Sequence, residues 1–187
     1  MQQRKWKCLL AGLVLQATAA RAQNLIQNPD FDSGFTGWTV FSGTFVIDAT
    51  DGSPAQPSLH ATAAPADGFE AIINSPCIVM SAPQNVDLSA DIKYVSGGPP
   101  EVDLYGFTDM ACADFINVVS ISGAPKDGVW HTSSHAGVSL PDGTQSVMVS
   151  IFTGSDTLGG SVDAYFDHIL FGSTSATPVR LQSFDVE

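Results

Sequence analysis

The chain has 187 residues, 44% of them hydrophobic and 14% charged, with 7 basic against 19 acidic side chains. That is one globular domain, or one domain with short extensions, and its apolar and aromatic residues are spread too evenly for a disordered chain. All but three of the basic residues, Lys93, Lys126 and Arg180, lie in the first 21 positions, where no acidic residue occurs; the remainder carries a net charge of −16. So acidic a body argues against nucleic acid, anionic lipid or heparin as a partner, because neutralising phosphate takes clustered Lys and Arg.

The first 22 residues read as a secretory signal peptide. Arg4, Lys5 and Lys7 form a positive segment, Cys8 to Ala20 is an apolar stretch too short to span a bilayer, and Ala20-Arg21-Ala22 places small residues where a signal peptidase reads them. Cleavage after Ala22 leaves a mature chain that starts at Gln23 and is secreted, extracellular or periplasmic. No later run reaches the roughly 18 apolar residues of a membrane helix, so no membrane insertion is expected.

From there the chain is interrupted at short intervals by Gly, Pro, Asn, Asp and Ser, with no apolar period of 3.6. It reads as strands. They are Trp38 to Phe41, Thr44 to Asp48, Ser58 to Ala63, Glu70 to Asn74, Ile78 to Met80, Val86 to Tyr94, Val102 to Thr108, Asn117 to Ile121, Val129 to Ser134, Ser146 to Thr153 and Val162 to Leu170. Turn clusters such as Asp51-Gly52-Ser53-Pro54 and Pro141-Asp142-Gly143 separate them. This pattern predicts an all-β fold, an antiparallel β-sandwich of jelly-roll type, over residues 23–171. Residues 172–187 read as a linker and a short C-terminal tail.

Alternation assigns faces. Leu88, Ala90, Ile92 and Tyr94 point to the core and Asp87, Ser89, Asp91 and Lys93 away from it; Val147, Val149 and Ile151 point inward, with Ser146, Met148, Ser150 and Phe152 outward. In the strand from Val102, the inner set Val102, Leu104 and Gly106 leaves Asp103, Tyr105 and Phe107 outside. Two aromatics beside a carboxylate on an outer face need a reason. Trp38 and Trp130, each at the opening of a strand, are expected in the core.

Cys77 and Cys112 are the two cysteines left after the leader is removed. In an oxidising compartment one bridge is the economical reading, with two buried thiols or a metal pair as the alternatives.

Catalytic signatures are absent. There is no G-x-S-x-G, S-x-x-K, P-loop or G-x-G-x-x-G. His131 and His135 fall on a predicted strand, where positions four apart lie about 13 Å from each other, too far to share a metal. Asp30-Phe31-Asp32-Ser33-Gly34 opens like an EF-hand loop but has Gly34 at position five and Phe41 at position twelve. The chain is therefore expected not to be an enzyme.

The opening Asn24-Leu25-Ile26-Gln27-Asn28-Pro29-Asp30-Phe31-Asp32-Ser33-Gly34-Phe35-Thr36-Gly37-Trp38 resembles the N-L-x-x-N-P-x-F-E-x-G-x-x-x-W start of CenC-type carbohydrate-binding modules, which are galactose-binding-domain-like jelly rolls. The run Val162-Asp163-Ala164-Tyr165-Phe166-Asp167-His168-Ile169-Leu170 resembles their closing strand. The resemblance covers about Asn24 to Ser173. It implies that the first and last strands are neighbours tied by a structural Ca²⁺, with Asp32 and Asp167 as ligands and a looser contribution from the loop around Asp51 and Gly52; the alternative is that these Asp residues cap solvated turns. Asp30 stands where the family usually has Gly, and Asp32 where Glu is common. The resemblance further implies reversible binding of a polysaccharide or glycan, for which Asp103, Tyr105 and Phe107, joined by Asp91, Lys93 and Phe152, are the candidates. A matrix or cell-surface adhesion protein on the same fold, or a polysaccharide-cleaving jelly roll, are the competing readings.

Overall fold

The structure, a computed structural model, describes residues 23–63, 70–81, 85–154 and 161–173. Among them run eleven strands: β1 (Thr39–Ser42), β2 (Thr44–Asp48), β3 (Ser58–Ala63), β4 (Glu70–Asn74), β5 (Ile78–Val79), β6 (Asn85–Ser96), β7 (Glu101–Phe107), β8 (Phe115–Ile121), β9 (Trp130–Ser139), β10 (Ser146–Gly154) and β11 (Val162–Ser173). They form two antiparallel sheets. One has the order β1-β4-β10-β7-β8 with β5 also on β10, and the other β2-β3-β11-β6-β9. The two pack face to face as a β-sandwich, as the alternation predicts. Among the described residues, no helix is long and apolar enough to cross a membrane. The expected signal peptide, residues 1–22, and residues 174–187 of the expected linker and tail lie outside the described residues.

The period-2 pattern fixes what is inside. Leu88, Ala90 and Ile92 of β6, Val102 and Leu104 of β7, Val147, Val149 and Ile151 of β10, and Ala164 and Phe166 of β11 are all buried. Each large aliphatic or aromatic side chain withdrawn in this way contributes about 1.5–3 kcal/mol. Glycine is required at one turn in particular: Gly43, between β1 and β2, has φ +75°, and a Cβ there would sit 2.5 Å from Ala71.

The opening segment is tied to the last strand. Leu25 N donates to the Phe171 carbonyl at 2.7 Å and Ile169 N to that of Pro29 at 3.0 Å. The Asn24 side chain donates to the Ile169 carbonyl and accepts from Phe171 N, both at 3.0 Å. Asn28 organises the next turn, accepting from Ser33 N and donating to the Gly34 carbonyl, while its own carbonyl accepts from Trp38 Nε1. Phe31 is wholly buried beneath, 5.3 Å from the ring of Trp38, which is in the core as expected.

Two expectations need correction. Trp130 is not a core residue: it pairs with Lys93 across β6 and β9, on the outward side of the five-stranded sheet, and is only partly buried. The last strand does not stop at Leu170, nor the fold at Phe171. β11 carries Gly172 and Ser173 into register with Asp87 and Val86. Ser146 and Ser150 point outward as expected and are nonetheless buried.

Cys77 and Cys112 are joined by a disulfide with a Cα–Cα distance of 5.8 Å. It clips the segment before β5 to the loop between β7 and β8.

Candidate functional site

Strand register builds a patterned surface on the outer face of the six-stranded sheet. Thr39, Asn74, Ser150, Asp103 and Ser120 form one polar line across β1, β4, β10, β7 and β8. On one side of it runs the line Ser42, Ile72, Phe152 and Glu101; on the other, Met148, Tyr105 and Val118. Hydrogen-bonding groups therefore lie in a trough between apolar and aromatic ones. Beyond Tyr105, Phe115 is 57% exposed, with its centroid 5.9 Å from that of Tyr105.

The chemistry of the trough centres on Asp103. It is 6% exposed. Its Oδ2 accepts from the Tyr105 hydroxyl at 3.4 Å and the carboxylate also bonds Ser120, whereas Oδ1 has no partner. Desolvation holds its pKa above the ordinary carboxylate range despite those two donors. Glu101 is raised too, first by desolvation and then by the field of Asp103, and Tyr105 by the same two causes in that order.

The sequence-predicted set is thus divided. Asp103, Tyr105 and Phe152 share this face, as predicted. Phe107 points to the same side but is 6% exposed, edge-on to Phe115 at 6.3 Å, so it supports the surface rather than offering a ring. Asp91 and Lys93 belong to β6, in the other sheet, and face the opposite side of the sandwich. Strand alternation gives each residue a side of its own strand, but it cannot tell which two strands share a sheet. Asn74, Ser150, Ser120 and Glu101 escaped the sequence reading for that reason. Phe115 was missed because the strand was expected to begin at Asn117.

On the opposite face, Lys93 and Trp130 serve a different purpose. Both donate to Asp51, Trp130 Nε1 at 2.9 Å, so the carboxylate is engaged on both oxygens. Lys93 lies 4.6 Å over the ring of Tyr165, whose neighbour His60 stacks on it at 4.1 Å and bonds Asp163 at 2.8 Å. The hydrogen bond from Lys93, then that from Trp130, lowers the Asp51 pKa. A group whose folded pKa is depressed stabilises the fold above the unfolded value and loses that contribution as pH falls through the folded one. Asp51→Ala should therefore cost about 2 kcal/mol at neutral pH, in the range for hydrogen bonds to charged groups. Urea titrations should show the difference from wild type closing as pH falls below the ordinary carboxylate range; a difference that persists there would mean that packing, not charge, is lost.

Of the residues implied as metal ligands, Asp51 is held in that network. Asp167 is wholly buried on β11, its oxygens accepting from Ser53 N and from His168 N. Its pKa is raised to about 6, by desolvation first. Asp32 lines a cleft with Asp30, His168 and the loop Pro54 to Gln56. Asp91 is buried between the hydroxyls of Ser53 and Thr132. Among the described residues, no three His, Cys, Asp or Glu side chains are grouped to hold a metal.

Neither a protein-family model nor a curated protein matches this sequence. Solved structures do resemble the fold. The CBM22-2 xylan-binding domain from Paenibacillus barcinonensis superposes with a TM-score of 0.56 at 14% identity, over 78% of this chain and 98% of that one. A family 16 carbohydrate-binding module gives 0.57 at 17% identity, over 79% and 99%. The enzymatically active domain of bacteriophage CBA120 tailspike protein 4 gives 0.62 at 10% identity. This chain covers 81% of its own length in that match but spans only 21% of the tailspike chain. What these structures share with this chain is the β-sandwich fold.

Proposed function

We propose that the protein is a secreted, non-catalytic carbohydrate-binding module of the CenC type, holding a polysaccharide reversibly on the outer face of the six-stranded sheet. The observation that carries this reading is the polar line from Asn74 to Ser120 flanked by Phe152 on one side and Tyr105 on the other. A pyranose ring has the same division, with apolar C–H faces and an equatorial rim of hydroxyls, so an aromatic edge and a polar trough match it together. The open face buries little, and affinities on the order of micromolar to millimolar are expected. The structural likeness to xylan-binding and family 16 modules supports the reading at the level of the fold.

The test is calorimetry against a panel of soluble glycans. Tyr105→Ala should weaken binding about tenfold, the loss of one aromatic contact and one hydroxyl, with the thermal melt little changed. Wild-type affinity in both Tyr105→Ala and Phe115→Ala would remove the site from this face. Release of shortened products from any bound glycan would move the protein to the polysaccharide-cleaving class.

A structural calcium is proposed alongside, on Asp32 and Asp167, with a carbonyl from the loop around Asp51 and Gly52 as a looser contributor. The support is the seam that lays the opening segment, which carries Asp32, along β11, which carries the buried Asp167; backbone carbonyls and water would complete a set of oxygen ligands suited to Ca²⁺. An ion that binds only the folded chain adds about 2.7 kcal/mol at a hundredfold excess over Kd. Melting temperature should rise with calcium and fall with EDTA; a melt indifferent to both refutes the ion.

A further inference from the structure

Four strands end the two sheets, β1 and β8 in one, β2 and β9 in the other. An edge strand presents backbone N–H and C=O groups that nothing pairs, and folded chains blunt such edges with short strands, bulges or charge. Three of these four are blunted. β1 has four residues and a register shift between Val40 and Ser42, and β2 has five residues and closes on Asp48. β9 is broken opposite Val86 and Leu88, with Gly137 at φ +66° inside the break.

β8 is different. Phe115–Ile121 has no charged residue and no proline, and past the shift at its start, residues 117–121 run in unbroken register with β7. Among the described residues only β7 pairs with it, so its far side is open. The loops on either side of β8 are tied elsewhere. The one before it folds on Asp109, whose carboxylate accepts from Ala111, Ala113 and Asp114 N; the one after it reaches the Tyr94 carbonyl through Gly128 N. Val118, Phe115 and the neighbouring Met110 are exposed beside this edge.

Charge selects the occupant. Residues 23–187 carry a net charge of −16, so two copies repel each other over most of their surface. The edge of β8 is a place where they can meet without opposing like charges, and its β-branched Val118, Val119 and Ile121 suit cross-strand pairing with themselves.

We propose that the open edge of β8 pairs antiparallel with β8 of a second copy, about a two-fold axis normal to the sheet, so that two six-stranded sheets become one. Such a contact closes at two copies, because the far edge of the sheet, β1, is short and bulged. Built on one strand and its flanking side chains, it falls at the low end of specific interfaces, below about 1,200 Å² in total, with a dissociation constant on the order of ten micromolar. The inference goes beyond the glycan-binding reading and stands without it. With it, the outer faces of both copies lie side by side, and one polysaccharide chain meets two sites.

Sedimentation velocity on the protein without glycan, from about 1 to 500 µM, provides the test. Monomer should give way to dimer across that range, and the dimer should tighten as salt rises, because screening removes the repulsion between acidic copies. Val118→Lys should weaken it at least about tenfold, a lysine being the residue that natural edges use against pairing. Val46→Lys is the matched control: Val46 is 47% exposed on the edge strand β2, against 45% for Val118, and its replacement should leave the dimer intact. Hydrogen exchange of the wild type gives a second readout that needs no variant to fold. The β8 amides should exchange more slowly as concentration rises, while those of β1, β2 and β9 stay unchanged. A chain that is monomeric throughout overturns the inference and leaves the edge to an unrelated extended segment. A dimer weakened as much by Val46→Lys, or one whose β8 amides ignore concentration, uses another surface and overturns it as well.

Discussion

Replacing Cys77 and Cys112 together by Ala should lower the unfolding free energy by about 4 kcal/mol. The bridge spans 35 positions, and closing a loop of that size removes about this much conformational freedom from the unfolded chain. Native contacts change little, so the loss should appear mostly through the unfolded state. The bridge also holds the loop after β7, which ends where Phe115 begins β8. The double variant should therefore melt well below the wild type in non-reducing buffer yet still bind glycan when folded. A variant as stable as wild type would show that the unfolded chain is already restrained without the bridge.

A comparable effect is expected from Phe31→Ala. Phe31 is wholly buried, packs on Trp38 and belongs to the segment that lies along β11. Large-to-small changes of Phe in a core cost about 3–5 kcal/mol through lost transfer energy and the cavity left behind. Denaturant titration should show this loss with an unchanged dependence on denaturant if the rest of the sandwich remains cooperative. A loss under 1 kcal/mol would mean that the opening loop closes over the gap, and that the N-P-x-F motif matters for its turn rather than its ring.

Much of the architecture was legible because strands declare themselves by alternation. The inner set Leu88, Ala90 and Ile92 and the outer set Asp103 and Tyr105 follow from period 2 alone, and turn residues mark where strands stop. The sheet assignments do not follow from it. Asp91 and Lys93 share the outward phase with Asp103, and only long-range pairing shows that they look the other way. Trp130 illustrates a second limit. Its size suggests an anchor in the core, but its indole N–H finds Asp51, 79 positions away, and that bond, with the stem of Lys93 alongside, makes an outer position acceptable. The tie between the opening segment and the closing strand was legible from the resemblance, since neither segment alternates toward the other. The trough itself, made from residues near positions 74, 103, 120 and 150, exists only once β4, β10, β7 and β8 lie side by side.

The seam between the opening segment and β11 also decides how the fold would respond to mechanical load. Asn24 and Leu25 bond to Ile169 and Phe171, so the two ends of the described fold emerge together, with Gln23 against Gly172. Tension applied across those ends would meet the bonds of the seam in succession, each worth about 1 kcal/mol net, instead of shearing a whole strand at once. Pulled this way, the protein should yield at low force from the seam inward, releasing Phe31 and Trp38 before the strands that form the trough.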